Sequence, residues 1–176
     1  MTKVLWHITM SLDGFIAAPN DDMAWIADYV GPNPAVTEVM SRIGALLIGA
    51  RTYRIARAEG GRPYGGAWTG PQVVLTHAAP EAAAPGFTFV DGVEKAVAAA
   101  RSAAAPGKDV VVLGANAARQ CLDAGLLDEV LVHSVPLLLG DGVRMFERPG
   151  GAGIQLDPIS VTQAGAVTNL LARIRS

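Results

Sequence analysis

Three stretches of the sequence place glycine, hydroxyl and basic residues directly after apolar runs of strand length. The first is Leu47-Ile48-Gly49-Ala50-Arg51-Thr52-Tyr53. Glycine lets a ligand approach the backbone closely. Helix-start amides, the Thr52 hydroxyl and the Arg51 guanidinium together suit a phosphate group. A tight turn with a surface arginine accounts for the same residues. The second stretch runs from Val110 through Leu113-Gly114-Ala115-Asn116 to Arg119. A buried strand, a turn of small residues and a helix start make a diphosphate cradle, or simply a strand–turn–helix. It departs from the dinucleotide fingerprint, because Asn116 and Arg119 stand where the second and third glycines belong. The third is Leu75-Thr76-His77, whose polar groups could hold ribose or phosphate or line a solvated loop. Ligands of parallel α/β sheets bind outside the carboxyl ends of the strands, so all three junctions can share one ligand.

Other chemistry finds less support. His7, His77 and His133 have no metal-ligand spacing, and a single cysteine, Cys121, makes neither a zinc knuckle nor a disulfide. His7 and His133 fall on predicted strands and read as satisfied core or cleft histidines. There is no Gly-x-Ser-x-Gly elbow for a hydrolase. Cys121 reads as core filler, and Trp6 and Trp68 as packing residues. The Gly140-Asp141-Gly142 turn could approach one end of a bound ligand or simply connect two strands.

The elements that must position these junctions are legible as apolar runs. Strands are expected at Val4–Met10, Ala45–Ile48, Val73–Thr76, Phe87–Val90, Val110–Leu113 and Val130–Val135, several of them continuously apolar as in strands buried on both faces. Gly153–Gln163 and Ala166–Ile174 flank Ala164-Gly165 and read as a closing antiparallel pair. Asn33-Pro34 predicts a capped helix start, with Val36, Val39, Met40 and Ile43 as its apolar stripe and Gly44 as its end. Asp91-Gly-Val-Glu94 resembles a capping box ahead of Val93, Ala96, Val97 and Ala100. A further helix is expected from Asn116 to Ala124, and a loop over Gly60–Pro71. Strands alternating with helices imply an α/β domain with a mostly parallel sheet and an antiparallel edge.

With 176 residues, 51% of them hydrophobic and 17% charged, the chain fits one domain with an ordinary core. A net charge of −2 offers no basic field for nucleic acid or an anionic membrane. The apolar start is broken by His7 and ends at Asp13, too short for a signal peptide or spanning helix, so a cytoplasmic protein is expected.

Taken in order, the segments Met10-Ser11-Leu12-Asp13-Gly14-Phe15-Ile16-Ala17, Ile48 to Tyr53, Leu75-Thr76-His77, Val112 to Asn116, and Leu126 through Pro136 to Gly142 resemble the dihydrofolate-reductase-like superfamily. The branch they look most like is the small bacterial proteins similar to the C-terminal reductase domain of riboflavin biosynthesis. The resemblance covers nearly the whole chain, residues 1–176, as a single domain. It implies a mixed, mostly parallel central sheet flanked by helices, with a C-terminal antiparallel hairpin. It also implies a reductase that passes hydride from NADPH to a C=N or C=O of a small heterocyclic or carbonyl substrate. Dihydrofolate reductase and 5-amino-6-(5-phosphoribosylamino)uracil reductase are the models for this activity. The alternative is a non-catalytic NADP(H)-binding or sensing protein on the same scaffold.

By that resemblance Gly49, Arg51, Thr52, Leu75, Thr76 and His77 serve the adenosine 2′-phosphate side. Gly114, Ala115 and Asn116 serve the diphosphate, and Ile16 and Ala17 border the nicotinamide. Asp21-Asp22-Met23-Ala24-Trp25 resembles the acid–x–x–aromatic start of the first helix in folate reductases. That makes Asp22 the substrate-binding and catalytic acid and Trp25 its neighbour on the substrate; capping of the helix by Asp21 and Asp22 is the alternative. Two departures bear on the substrate. Ala18-Pro19-Asn20 replaces the Trp-Pro pair of folate reductases, and Phe15 replaces the basic residue that riboflavin-pathway reductases place after Asp-Gly. At this length there is no room for the deaminase domain that often precedes the riboflavin reductase. The resemblance further implies a homodimer.

Overall fold

The computed structural model describes residues 2–58, 63–79 and 85–175. Its core is an eight-stranded sheet in the order β5-β4-β3-β6-β1-β7-β10-β9. The strands are β1 (Val4–Ser11), β3 (Ile43–Gly49), β4 (Gln72–Leu75), β5 (Phe87–Val90), β6 (Asp109–Leu113), β7 (Glu129–Val135), β9 (Leu156–Ala164) and β10 (Val167–Ile174). The pairs from β5 across to β7 are parallel, and β10 returns antiparallel to β7 and β9. Two short strands, β2 (Phe15–Ala17) and β8 (Val143–Arg144), pair antiparallel in a separate ribbon. This is the mixed α/β sheet with a terminal hairpin that the sequence pattern requires.

Four helices cover the sheet: α1 (Pro34–Arg42), α2 (Ala50–Ala58), α3 (Val93–Ala103) and α4 (Ala115–Asp123). Because side chains of a strand alternate in direction, β1 and β3 feed two cores. Val4, Trp6, Ala45 and Leu47 pack with Ala96, Val97 and Ala100 of α3 and Ala117, Ala118 and Cys121 of α4. Leu5, Leu46 and Ile48 pack with Val39 of α1 on the other face, where Tyr53 of α2 meets Phe87 and Phe89 edge-on. Trp6 and Trp68 both belong to these cores, and Cys121 is fully buried, its thiol pushed up to about 12 by desolvation.

Asn33 caps α1 as expected, its side chain accepting the Ala35 amide, with Pro34 in the first turn. The end of α1 differs from expectation. Ile43 and Gly44 belong to β3, because the chain turns extended at Ile43 and the parallel pairing with β6 starts there. The capping box at Asp91 also does not form. Gly92 is the N-cap of α3 and no side chain caps it, since the Asp91 carboxylate is taken by His77. Within the expected loop over Gly60–Pro71, a short 3-10 turn spans Pro63–Gly66, and residues 59–62 lie outside those described. No helix among the described residues is long and apolar enough to cross a membrane.

Candidate cofactor and substrate cleft

The carboxyl ends of β1, β3, β4 and β6 open into one cleft of about 1730 Å³. The three junctions meet there because β3 lies between β4 and β6. Gly49, Arg51, Thr52, Leu75, Thr76, His77, Gly114, Ala115 and Asn116 all line it, as do Ile16 and Ala17. The β3–α2 and β6–α4 junctions touch. Gly114 has φ +94°, and a Cβ built on it would sit 2.5 Å from Thr52 Oγ1. Only glycine permits both that backbone and that approach. No side chain caps α4 at Gly114, so the first amides of the helix are left to whatever fills the cleft.

Arg51 is half-exposed and ion-paired with Asp21. Asp21 and its neighbour Asn20 both hold positive φ, near +64° and +63°, in a 3-10 turn over Pro19–Asp21. His77 is exposed and hydrogen-bonds Asp91 at 2.6 Å.

A second anchor fixes the loop after β1. The Asp13 carboxylate accepts the Ser11 hydroxyl at 2.6 Å and the amides of Leu139 and Gly140 at 3.0 and 2.7 Å. The Ser11 hydroxyl, followed by these amides, pulls its pKa down to about 2. This ties the first loop to the Gly140-Asp141-Gly142 turn, which also lines the cleft. Gly142 admits no Cβ, because Ala17 O lies 2.0 Å from where one would stand. Arg144 stacks over the Phe15 ring with 4.6 Å to the centroid, so a cation sits beside position 15 although that residue is apolar.

Asp22 and Trp25 are placed differently from the cofactor residues. Neither lines the cleft. Asp22 is exposed and its carboxylate accepts the Ala24 amide at 2.9 Å, while the N-cap of the 3-10 helix that follows is Met23, which no side chain caps. Trp25 is half-buried in a 3-10 helix spanning Ala24–Tyr29, its Nε1 buried without a partner. Asp22 is extended (φ −67°, ψ 121°) and precedes the Met23 N-cap of that helix, so it does not share a helical face with Trp25 as the acid–x–x–aromatic spacing assumed. Of the two neighbouring acids, Asp21 and not Asp22 lines the cleft.

A polar cluster that the sequence reading left as satisfied histidines sits at the cleft wall. His7 Nδ1 lies 2.7 Å from Tyr64 Oη, and His7 Nε2 lies 2.6 Å from His133 Nε2. His133 Nδ1 lies 2.6 Å from Asn169 Oδ1. Burial, with the charge of His133 adding to it, lowers His7 to about 3, and burial lowers His133 as well. His7 and Tyr64 line the cleft. Tyr64 falls in the expected loop and carried no sequence signal; strand register brings the two histidines together, and the Pro63–Gly66 turn brings Tyr64 to them. Among the described residues no cluster of three or more metal-ligating side chains occurs.

The mixed sheet with its terminal hairpin is a dihydrofolate-reductase-like scaffold. The profile of the family described as RibD C-terminal domain matches residues 2–170, and the chain belongs to that family of reductases. Solved structures share the fold at low identity. A riboflavin biosynthesis protein from Shewanella sp. PV-4 superposes with a TM-score of 0.83 at 19% identity, over 99% of this chain and 100% of that one. The Thermotoga maritima diaminohydroxyphosphoribosylaminopyrimidine deaminase/5-amino-6-(5-phosphoribosylamino)uracil reductase gives 0.70 at 16%, over 99% of this chain and 57% of that one. The riboflavin biosynthesis reductase Rib7 of Saccharomyces cerevisiae gives 0.64 at 13%, over 99% and 90%. No curated protein matches the chain.

Proposed function

We propose that this chain is an NADPH-dependent reductase acting on a C=N or C=O of a small heterocyclic or carbonyl compound. The observation that carries the reading is the meeting of an uncapped α4 start, Gly114 and Thr52 in one cleft, with Arg51 at its rim. Such a surface fits a dinucleotide. Amides at a helix start suit a diphosphate, and an arginine fork suits the 2′-phosphate that separates NADPH from NADH. NADPH, when bound, supplies the hydride. The chain's own residues orient it, exclude water and place polar groups around the acceptor. Gly114 and the Ala115 and Asn116 amides would receive the diphosphate. Arg51 would exchange Asp21 for the 2′-phosphate, and Ile16 and Ala17 would flank the nicotinamide.

The test is a titration with NADPH and NADH by calorimetry. Tighter binding of NADPH is expected, and Arg51→Ala should weaken NADPH at least tenfold while leaving NADH nearly unchanged. Asp21→Asn, which removes the competing carboxylate, should tighten NADPH several-fold. Equal weakening of both nucleotides by Arg51→Ala removes the 2′-phosphate role. Binding without oxidation by any folate, pyrimidine or small carbonyl acceptor would favour a sensing protein on the same scaffold.

A further inference from the structure

The hydrogen-bond chain behind Tyr64 has a direction, and a backbone amide fixes it. The Ala35 N–H donates to Asn33 Oδ1 at 3.1 Å, and a backbone amide only donates. That identifies the oxygen of the Asn33 side chain, so its Nδ2 is the group 2.9 Å from Asn169. The Asn169 atom there must accept and is Oδ1. Its own Nδ2 donates to Asn33 Oδ1 at 3.2 Å and to Thr162 Oγ1 at 3.1 Å. Asn169 Oδ1 also faces His133 Nδ1, which therefore carries the proton. A neutral imidazole has one N–H, so His133 Nε2 accepts and His7 Nε2 donates to it. His7 Nδ1 is then bare and accepts a hydrogen bond from the Tyr64 hydroxyl.

We propose that Tyr64 offers the cleft only oxygen lone pairs, making this end of the site specific for a ligand N–H or O–H donor. The proposal deepens the reductase reading and rests on it only in taking the cleft as the ligand site. Burial supports it. His7 and His133 are 7% and 3% exposed, and desolvation keeps both neutral, so protonation does not scramble the direction. Among the described residues no other donor reaches Tyr64 Oη. Tyr64 sits at φ +58°, a left-handed conformation rare for a tyrosine and concentrated at ligand sites. The sheet supplies the path. His133 and Asn169 are opposed across β7 and β10, as are Asn169 and Thr162 across β10 and β9, and His7 is one diagonal step from His133 across β1 and β7.

Long-range 15N–1H spectra of the ligand-free protein test the direction without any nucleotide. The expected protons are on His133 Nδ1 and His7 Nε2; a proton on His7 Nδ1 overturns the proposal. Asn169→Leu removes the acceptor that holds the His133 Nδ1 proton, and the two histidine protons should redistribute between their ring nitrogens. Unmoved protons show that Asn169 does not set the direction. The ligand-facing part is read with 2-pyridone and N-methyl-2-pyridone, followed at the Tyr64 and His7 signals with NADP+ present. The N–H compound should bind about tenfold more tightly, and Tyr64→Phe should bring the pair to within about twofold. Equal binding of the two by the unaltered protein, or binding of neither, removes Tyr64 as a ligand contact. A protein with the expected histidine protons that fails to bind NADPH would sink the reductase reading and leave the direction standing.

Discussion

His7 and His133 make the protein's stability depend on pH in a predictable sense. An unfolded histidine takes a proton near pH 6.5, whereas His7 in the fold is lowered to about 3 and His133 is lowered in the same direction. Between those values the unfolded state binds more protons. Their contribution is therefore complete above about pH 6.5 and is lost as pH falls toward 3. The slope approaches about 1.4 kcal/mol per pH unit for His7, and His133 adds to it in the same sense. Urea unfolding between pH 7 and 5 should show it. His133→Gln should reduce the slope, and an unchanged slope would mean that His133 takes up a proton as readily in the fold as in the unfolded chain. The two histidines were identifiable as buried from their apolar strands. Tyr64 was not, because a tyrosine between prolines and glycines carries no periodicity.

At the scale of elements, the contact between Gly114 and Thr52 welds two strand–helix junctions. Gly114→Ala would place a Cβ 2.5 Å from Thr52 Oγ1 on a backbone at φ +94°. The expected loss is about 2 kcal/mol, shared between steric overlap and backbone strain. Adding Thr52→Ala should restore the steric share and not the strain, a non-additivity that a double-mutant cycle in urea measures. Additive losses would show that the junctions do not bear on each other. The boundary errors belong to this scale too. Ile43 suits the apolar stripe of a helix and the interior of a strand equally well, and pairing with β6 decides for the strand. Asp91 has the chemistry of a cap, but His77 lies 2.6 Å away and takes it.

The whole molecule divides its charge between two ends of the sheet. The cleft occupies the carboxyl ends of the strands, and an ionic network occupies the amino ends. Arg42 reaches Asp109 at 2.6 Å and Glu129 at 3.5 Å, and Lys3 reaches Glu129 at 2.5 Å. Glu129 and Asp109 are buried, at 2% and 6% exposure, so removing a partner leaves a costly carboxylate. Arg42→Ala should cost about 2 kcal/mol, less than a fully buried pair because the guanidinium is partly solvated. Nucleotide affinity should not change, and a large change would show the two ends to be coupled. The homodimer implied by the family resemblance is also a proposal at this scale. The edge strand β9 carries exposed Ile159 and Val161, at 46% and 65%, and an open apolar edge favours pairing. Sedimentation should give twice the chain mass, falling to one chain in Val161→Lys; a single-chain mass for the unaltered protein sinks the proposal.

The sequence alone determined the alternation of buried strands and helices, the terminal hairpin, and the three junctions rich in glycine and polar groups. These follow from local periodicity and turn chemistry, which neighbouring residues suffice to specify. Only the tertiary structure decided which junctions adjoin, that Asp21 and not Asp22 faces the cleft, and that Tyr64, His7, His133 and Asn169 form one chain. The contact between His7 and His133 spans 126 residues of sequence. It depends on β1 and β7 being neighbours in one register. Register is set by the packing of the whole sheet against its helices, and no short stretch of sequence contains it.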